Sequence, residues 1–132
     1  MNNKDLIFDN AKLKKYIEFF SNPDSIYMHI DGASQPYYIG TAKEFVSDLN
    51  NARLPEDYDD LNNNVFKGQK WLYIDRLSAL ADDFIDSLTS RQILTIFSAM
   101  EYKELFCTGF IARCGRAGII SRLLLRLRDC NE

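Results

Sequence analysis

Apolar residues recur at helical spacing over most of the chain, and the first such stretch follows Asp9 and Asn10, either of which can cap a helix. Its inward-facing positions are Leu13, Tyr16, Ile17 and Phe20. Pro23 cannot continue a helix, and it biases Asn22 away from the helical region. The pattern therefore predicts an amphipathic first helix that ends before Pro23.

Two short runs rich in aromatic and branched residues follow at 25–30 and 35–39, and Asp31-Gly32 lies between them. Such runs around a turn dipeptide predict a β-hairpin. Pro36 has no amide hydrogen to donate, so the second strand is an edge strand or pairs only beyond that residue.

A second helix is predicted after Gly40, because Thr41 and Glu44 have the spacing of a capping box. Phe45, Val46 and Leu49 would face inward from it. Residues 50–64 combine turn-forming residues with carboxylates and show no sustained period, which predicts a long surface loop. A loop of this length is either functional or mobile.

The rest of the chain has an almost wholly helical pattern. One broad apolar stripe comprises Trp71, Leu72, Ile74, Leu77, Leu80, Ala81, Phe84 and Ile85. Thr89 and Gln92 form a second capping box, which starts a helix through Ile93, Ile96, Phe97 and Met100. Beyond a bend or end at 101–104, the apolar face continues through Leu105, Phe106, Phe110 and Ile111, so Phe106 and Phe110 are predicted core residues.

Gly115 and Gly118 weaken a helix, so a break is expected there before a last helix at 119–128. In that helix Arg122 and Arg126 lie one turn apart, away from the inward leucines. Together the elements predict a mainly α (α+β) fold: one domain over 1–132, with about five to six helices and a small N-terminal hairpin.

Composition and cysteine content indicate the cellular compartment. The chain is 46% hydrophobic, which is enough to bury a core without disulfides or a structural metal. Its three cysteines are an odd number crowded near the C-terminus, which is a poor disulfide framework and favours the reducing cytoplasm. The start is polar and acidic, with no apolar run of signal-peptide length, and no stretch approaches the roughly 20 apolar residues of a membrane span.

The net charge of −3 conceals a polarised chain. Up to Ser90 there are 15 acids and nine bases, whereas from Arg91 onward there are four acids and seven bases. One candidate partner-binding surface is an acidic segment with a tyrosine, a composition that suits a protein interface. It comprises Glu56, Asp57, Tyr58, Asp59 and Asp60. It lacks the glycine and terminal glutamate of a calcium loop, so a solvated acidic face is favoured over a metal site. The same holds for Asp82, Asp83 and Asp86.

The last two helices carry four arginines that could form a stripe that binds phosphate. They are Arg113, Arg116, Arg122 and Arg126. The alternative is that they pair with the acids of the first ninety residues within the same fold, and this is favoured. His29 has no nameable catalytic partner, and Cys107 and Cys114 do not have the usual spacing of zinc ligands. No catalytic residue, metal or cofactor is therefore expected, and the three thiols are expected to be free.

Several short motifs resemble an uncharacterised family of small bacterial and phage proteins, the domain of unknown function six-five-zero-eight. They are P-Y-x-x at Pro36, F-x-x-x-L at Phe45, the Trp-led region at Trp71, L-T-x-F at Leu94, F-C-x-G at Phe106, A-G-x-I at Ala117 and L-x-R-L at Leu124. The resemblance implies a mainly helical fold and a bacterial or phage origin, and it supplies no activity. Family members carry an arginine and an acid in the E-R-F-C-[DE]-G element, where this chain has Leu105 and Thr108.

The sequence thus favours a non-catalytic protein-interaction or regulatory module, for which a phage inhibitor of a host defence complex is one form. Its expected partner is a protein, and it would act as a monomer or homodimer away from membranes. The alternative is a nucleic-acid-binding protein that uses the arginine stripe. The second alternative is an enzyme of unrecognised type, which is less favoured because no catalytic constellation is present in the sequence.

Overall fold

The computed structural model describes residues 8–30, 32, 35–67 and 82–130. Within them the protein is mainly helical with a small antiparallel hairpin near the N-terminus, as the sequence predicts. The helices are α1 (Asn10–Ser21), α2 (Gly40–Asn51), α3 (Tyr58–Asp60), α4 (Asp82–Asp86), α5 (Ser90–Glu104), α6 (Phe110–Arg116) and α7 (Ile119–Cys130). The strands are β1 (Met28–His29) and β2 (Tyr37–Tyr38), and a π-helical turn (Leu61–Val65) follows α3.

The core is built around the aromatic ring of Phe45 on α2. This ring lies 4.8 to 5.7 Å from the rings of Phe8, Tyr16, Phe20 and Phe97, mostly edge to face. Because these aromatic residues come from α1, α2, α5 and the segment before α1, the cluster joins both halves of the sequence. Helix α7 packs against α1, α5 and α6 and closes the core.

The first helix has the predicted cap and the predicted end. Asp9 accepts a hydrogen bond from the Lys12 amide at 2.8 Å, and the helix ends before Pro23. The hairpin register pairs Met28 with Tyr38 and His29 with Tyr37, so the second strand does pair only beyond Pro36. Helix caps, proline and turn residues in the local sequence were thus enough to predict the first helix and the hairpin.

The predicted capping box at Thr41 and Glu44 is wrong. A cap at Thr41 would start the helix at Ala42, whereas α2 begins two residues earlier, at Gly40, and its cap residue Ile39 makes no side-chain capping bond. The cause is the hairpin: the Ile39 amide donates to the Tyr27 carbonyl at 3.1 Å, which holds Ile39 extended immediately before the helix. The Thr41 hydroxyl is therefore already inside the first turn.

The long surface loop predicted for 50–64 is also wrong in its second half. Asp57 caps α3 by accepting from the Asp60 amide at 3.2 Å, and the chain continues through the π-helical turn. Leu61 and Val65 lie four residues apart and are both buried. Their burial stabilises a helical segment whose polar composition alone suggested a loop.

The predicted stripe that begins at Trp71 lies largely outside the described residues, as do the side chains of Asp82 and Asp83. Of that stripe, Ile85 is buried and Phe84 is partly buried. The predicted break between the last two helices is confirmed, since α6 ends at Arg116 and Gly118 adopts a φ of 81° that favours glycine.

The capping box at Thr89 and Gln92 is confirmed, with both reciprocal hydrogen bonds present at 3.0 and 3.1 Å. Replacement of Thr89 by Ala should lower the free energy of unfolding by about 1 kcal/mol, because it removes an acceptor from the α5 N-terminus. Thr41→Ala is the matched control and should have almost no effect, since Thr41 caps no helix. Urea denaturation of both variants checks this, and equal losses would contradict the assignment of the two boxes.

Candidate functional site

The acidic segment predicted to bind a partner, residues 56–60, is partly committed to the fold. Asp57 caps α3, and Asp60 accepts hydrogen bonds from Asn64 at 2.8 Å and from Gln92 at 3.3 Å. The Tyr58 hydroxyl lies 3.0 Å from the Ser98 hydroxyl on α5. Glu56 and Asp59 are exposed. The segment therefore offers fewer solvent-facing groups than its sequence indicates.

A polar pocket of about 350 Å³ lies beside this segment. Its lining residues are Ala52, Arg53, Leu54, Glu56, Ser98 and Glu101. Ser98 and Glu101 come from α5 and are buried and partly buried, whereas Arg53 and Glu56 are exposed. The pocket thus joins one residue of the predicted acidic surface to two polar residues of α5 that sequence reasoning did not single out.

Glu101 is the least satisfied polar group at this pocket. Its Oε2 atom is buried and has no hydrogen-bond partner within the part of the chain that the structure describes. Burial raises the pKa of the Glu101 carboxyl, and the nearby charge of Glu56 raises it further. Both effects oppose ionisation of Glu101, and a cation in the pocket would favour the ionised form.

A second surface is formed where α5 ends and the chain turns into α6. Leu105 is 76% exposed and Phe106 is 71% exposed, and the Phe106 ring packs edge to face on Tyr102 at 5.2 Å. The prediction that Phe106 belongs to the core is wrong, whereas Phe110 is buried as predicted. The reason is that α5 ends at Glu104, before Phe106, and α6 begins only at Phe110, so their four-residue spacing does not place them on one face.

The shape of this turn is fixed by Glu104. Its carboxylate accepts hydrogen bonds from the amides of Gly109, at 2.6 Å, and Ile111, at 3.0 Å, as well as from the Tyr38 hydroxyl. Gly109 has a φ of 89°, a conformation that favours glycine. Glu104 and Gly109 of the family-like element therefore hold the start of α6, which gives both residues a structural role.

The exposed large hydrophobic residues of the described chain fall in two neighbouring segments. They are Ile26, Ile30 and Tyr37 around the hairpin, and Tyr102, Leu105 and Phe106 at the α5–α6 turn. The two segments touch, because Tyr38 donates to Glu104 and the Met28 sulfur lies 3.4 Å from the position that a Cβ on Gly109 would occupy. We call these six residues the apolar surface.

The four arginines predicted as a stripe lie beside different parts of the fold. The Arg113 guanidinium contacts the Cys107 sulfur and lies over the Phe110 ring, and that of Arg116 lies over the Tyr27 ring at 5.4 Å. Arg126 donates to the Leu88 carbonyl at 3.1 Å, and Arg122 is partly buried. The sequence favoured pairing of these arginines with acids of the first ninety residues. Among the described residues, however, Arg116 contacts an aromatic ring and Arg126 contacts a backbone carbonyl.

The described residues contain no group of three or more His, Cys, Asp or Glu side chains that could hold a metal ion. Cys107, Cys114 and Cys130 form no disulfide, and Cys114 is buried. His29 lies on β1 with its ring 5.2 Å from that of Tyr37. Among the described helices, none combines the length and the apolar character needed to cross a membrane.

The chain matches no family model, no curated protein and no solved structure. The resemblance to the uncharacterised bacterial and phage family therefore stays a prediction. The apolar surface and the pocket are therefore the two features of this chain that indicate a function.

Proposed function

We propose that this protein is a non-catalytic interaction module that binds another protein through the apolar surface. The observation that carries the proposal is that all six exposed large hydrophobic residues of the described chain lie in the hairpin region and the α5–α6 turn, which contact each other. Exposed apolar residues are common singly, whereas several in neighbouring segments typically mark a binding surface.

The turn is also held in one conformation before any partner arrives. Glu104 fixes the amides of Gly109 and Ile111, and the Tyr38 hydroxyl ties the turn to the hairpin. A surface ordered in advance loses less conformational entropy on binding. Leu105 and Phe106 are therefore suited to act as anchors that insert into a partner.

Charge indicates the chemistry of that partner. Lys103 precedes the exposed pair on the same turn, and the exposed Arg113 contacts Cys107 just after it. An apolar partner segment that carries carboxylates would match both features, because opposite charges at the rim of an interface speed association and select the orientation. Leu105 cannot stack on a base, so the surface fits a protein better than a single-stranded nucleic acid.

Photo-crosslinking tests this proposal directly. A benzophenone amino acid at position 106 should capture a specific protein in cells of the source organism, and the same group at position 14 should not, because Lys14 is an exposed residue of α1. A captured species that nuclease removes would overturn the protein-partner proposal in favour of nucleic-acid binding. Equal products from both positions would also contradict it.

The captured partner then allows a quantitative prediction. Leu105→Ser combined with Phe106→Ser should weaken its binding by at least about tenfold, since truncation of central anchors typically costs more than 1 kcal/mol each. The matched control, Lys14→Ser combined with Glu18→Ser, removes two exposed residues of opposite charge from α1 and should leave binding unchanged. Titration calorimetry measures both, and circular dichroism confirms that the variants are folded.

A further inference from the structure

The pocket beside the acidic segment is lined by two carboxyl groups, one of which has an oxygen atom without a hydrogen-bond partner among the described residues. Glu101 and Glu56 both line it, and the buried Oε2 of Glu101 has no partner among the described residues. A poorly solvated carboxylate costs free energy unless a cation or a hydrogen-bond donor approaches it. Glu101 and Glu56 line the same open volume and are close enough for their charges to interact, so a cation in that volume would lie near both carboxyl groups.

We propose that this pocket binds a small organic cation, with an ammonium or guanidinium group placed between Glu101 and Glu56. The Ser98 hydroxyl, already 3.0 Å from that of Tyr58, offers an additional acceptor in the buried part of the pocket. At about 350 Å³ the pocket is within the lower range of small-molecule sites and has room for more than a cationic head group.

The raised pKa of Glu101 supports this assignment. Desolvation and the charge of Glu56 both oppose ionisation of Glu101 while the pocket is empty. A bound cation removes the second cause and offsets the first, because it supplies an opposite charge in a poorly solvated place. A ligand cation would therefore lower the pKa of Glu101 from its raised value.

The surroundings favour an organic cation over a metal ion. Calcium and magnesium need about six oxygen ligands, and no group of three or more His, Cys, Asp or Glu is found in the described part of the chain. Arg53 is exposed at the pocket and is its one cation among the lining residues. A ligand that carries a carboxylate at its far end would meet Arg53 there.

Nuclear magnetic resonance titration with n-butylammonium tests the proposal, with neutral 1-butanol as the isosteric comparison. Butylammonium should shift the amide signals of Leu54, Ser98 and Glu101 saturably, and butanol should bind at least about tenfold more weakly, because it lacks the charge. Glu101→Gln preserves the shape of the side chain and should weaken butylammonium by about tenfold or more. The control Glu18→Gln removes an exposed carboxylate on α1 and should change nothing.

Two further probes identify the source of the cation. Tighter binding of 5-aminopentanoate than of butylammonium, lost in Arg53→Gln, assigns a free zwitterion as the ligand. Tighter binding of Nα-acetyl-lysine N-methylamide instead assigns a lysine side chain from a partner protein. Either result supports a cation site and refines its natural ligand.

Three results would overturn the proposal. One is the absence of saturable shifts with butylammonium up to about 10 mM, a concentration that even weak small ligands should reach. The second is equal binding of butanol, or affinity for butylammonium that survives Glu101→Gln. The third is displacement of butylammonium by calcium at a lower concentration than butylammonium itself requires, which would assign a metal site.

Discussion

Replacement of Phe45 by Ala should lower the free energy of unfolding by about 3–5 kcal/mol. The Phe45 side chain is fully buried and contacts four other aromatic rings, which come from α1, α5 and the segment before α1. The substitution therefore removes both apolar burial and edge-to-face contacts and leaves a cavity that surrounding helices fill only in part. Urea denaturation followed by circular dichroism measures the loss.

Phe106→Ala is the matched control, because it makes the same chemical change at a side chain that is 71% exposed. Its effect on the free energy of unfolding should stay within about 0.5 kcal/mol, as for other surface substitutions. A loss of several kcal/mol at Phe106 would show that the segment after Glu104 packs into the core, and no loss at Phe45 would contradict its central place in the core. Comparison of the two variants therefore tests the burial of Phe106, where the sequence pattern and the structure disagree most clearly.

That disagreement has a simple physical origin. Phe106 and Phe110 are four residues apart, which in one continuous helix would place them on the same face. The helix ends at Glu104, however, and Gly109 adopts a left-handed conformation before α6 begins. Periodicity is informative only within an unbroken helix. The end predicted at 101–104 is confirmed, since α5 ends at Glu104, but the apolar face that the pattern continued through Leu105 and Phe106 has no helix to carry it.

The two predicted capping boxes show the same limit. Thr41-x-x-Glu44 and Thr89-x-x-Gln92 have equivalent spacing, yet only the second caps a helix. At the first, a tertiary hydrogen bond from Ile39 to the hairpin decides where the helix starts. Local sequence could therefore predict that a helix follows Gly40, whereas its first residue depends on a contact between distant segments.

The candidate sites were predictable only in part. Glu56 was identified as a partner-binding residue from the acidic composition of its segment, and it lines the pocket. Glu101 and Ser98 were missed, although Ser98 stands within the continuous apolar run of α5, where a polar residue is a recognisable signal. Nothing in the spacing relates residues 56 and 101, which the fold alone brings together.

Replacement of Glu104 by Ala should lower the free energy of unfolding by about 2–4 kcal/mol. The carboxylate accepts from the Gly109 amide, the Ile111 amide and the Tyr38 hydroxyl, and all three contacts are partly buried. Its removal leaves these donors without an acceptor at the start of α6, where a negative charge also interacts favourably with the helix. Unfolding in urea at neutral pH gives the size of the loss.

Glu101→Ala is the control on the same helix. Glu101 is likewise partly buried, but its Oε2 has no hydrogen-bond partner among the described residues. Removal of a carboxylate that is desolvated and unsatisfied should be neutral or stabilising. Of two glutamates three residues apart, only Glu104 is therefore expected to lose stability on substitution by Ala.

A double-mutant cycle with Tyr38 separates the capping role of Glu104 from general damage to α5. Tyr38→Phe should cost about 1 kcal/mol alone, and the coupling energy with Glu104→Ala should be about 0.5–3 kcal/mol, because the hydroxyl and the carboxylate contact each other. Burial and this hydrogen bond raise the pKa of Tyr38, whereas the unfolded chain ionises near its ordinary value of about 10. The Tyr38 contribution should therefore be complete below about pH 10 and decline above it, as the unfolded state loses the proton first. Additive losses, or an alkaline decline unchanged by Tyr38→Phe, would contradict this account of the turn that presents Leu105 and Phe106.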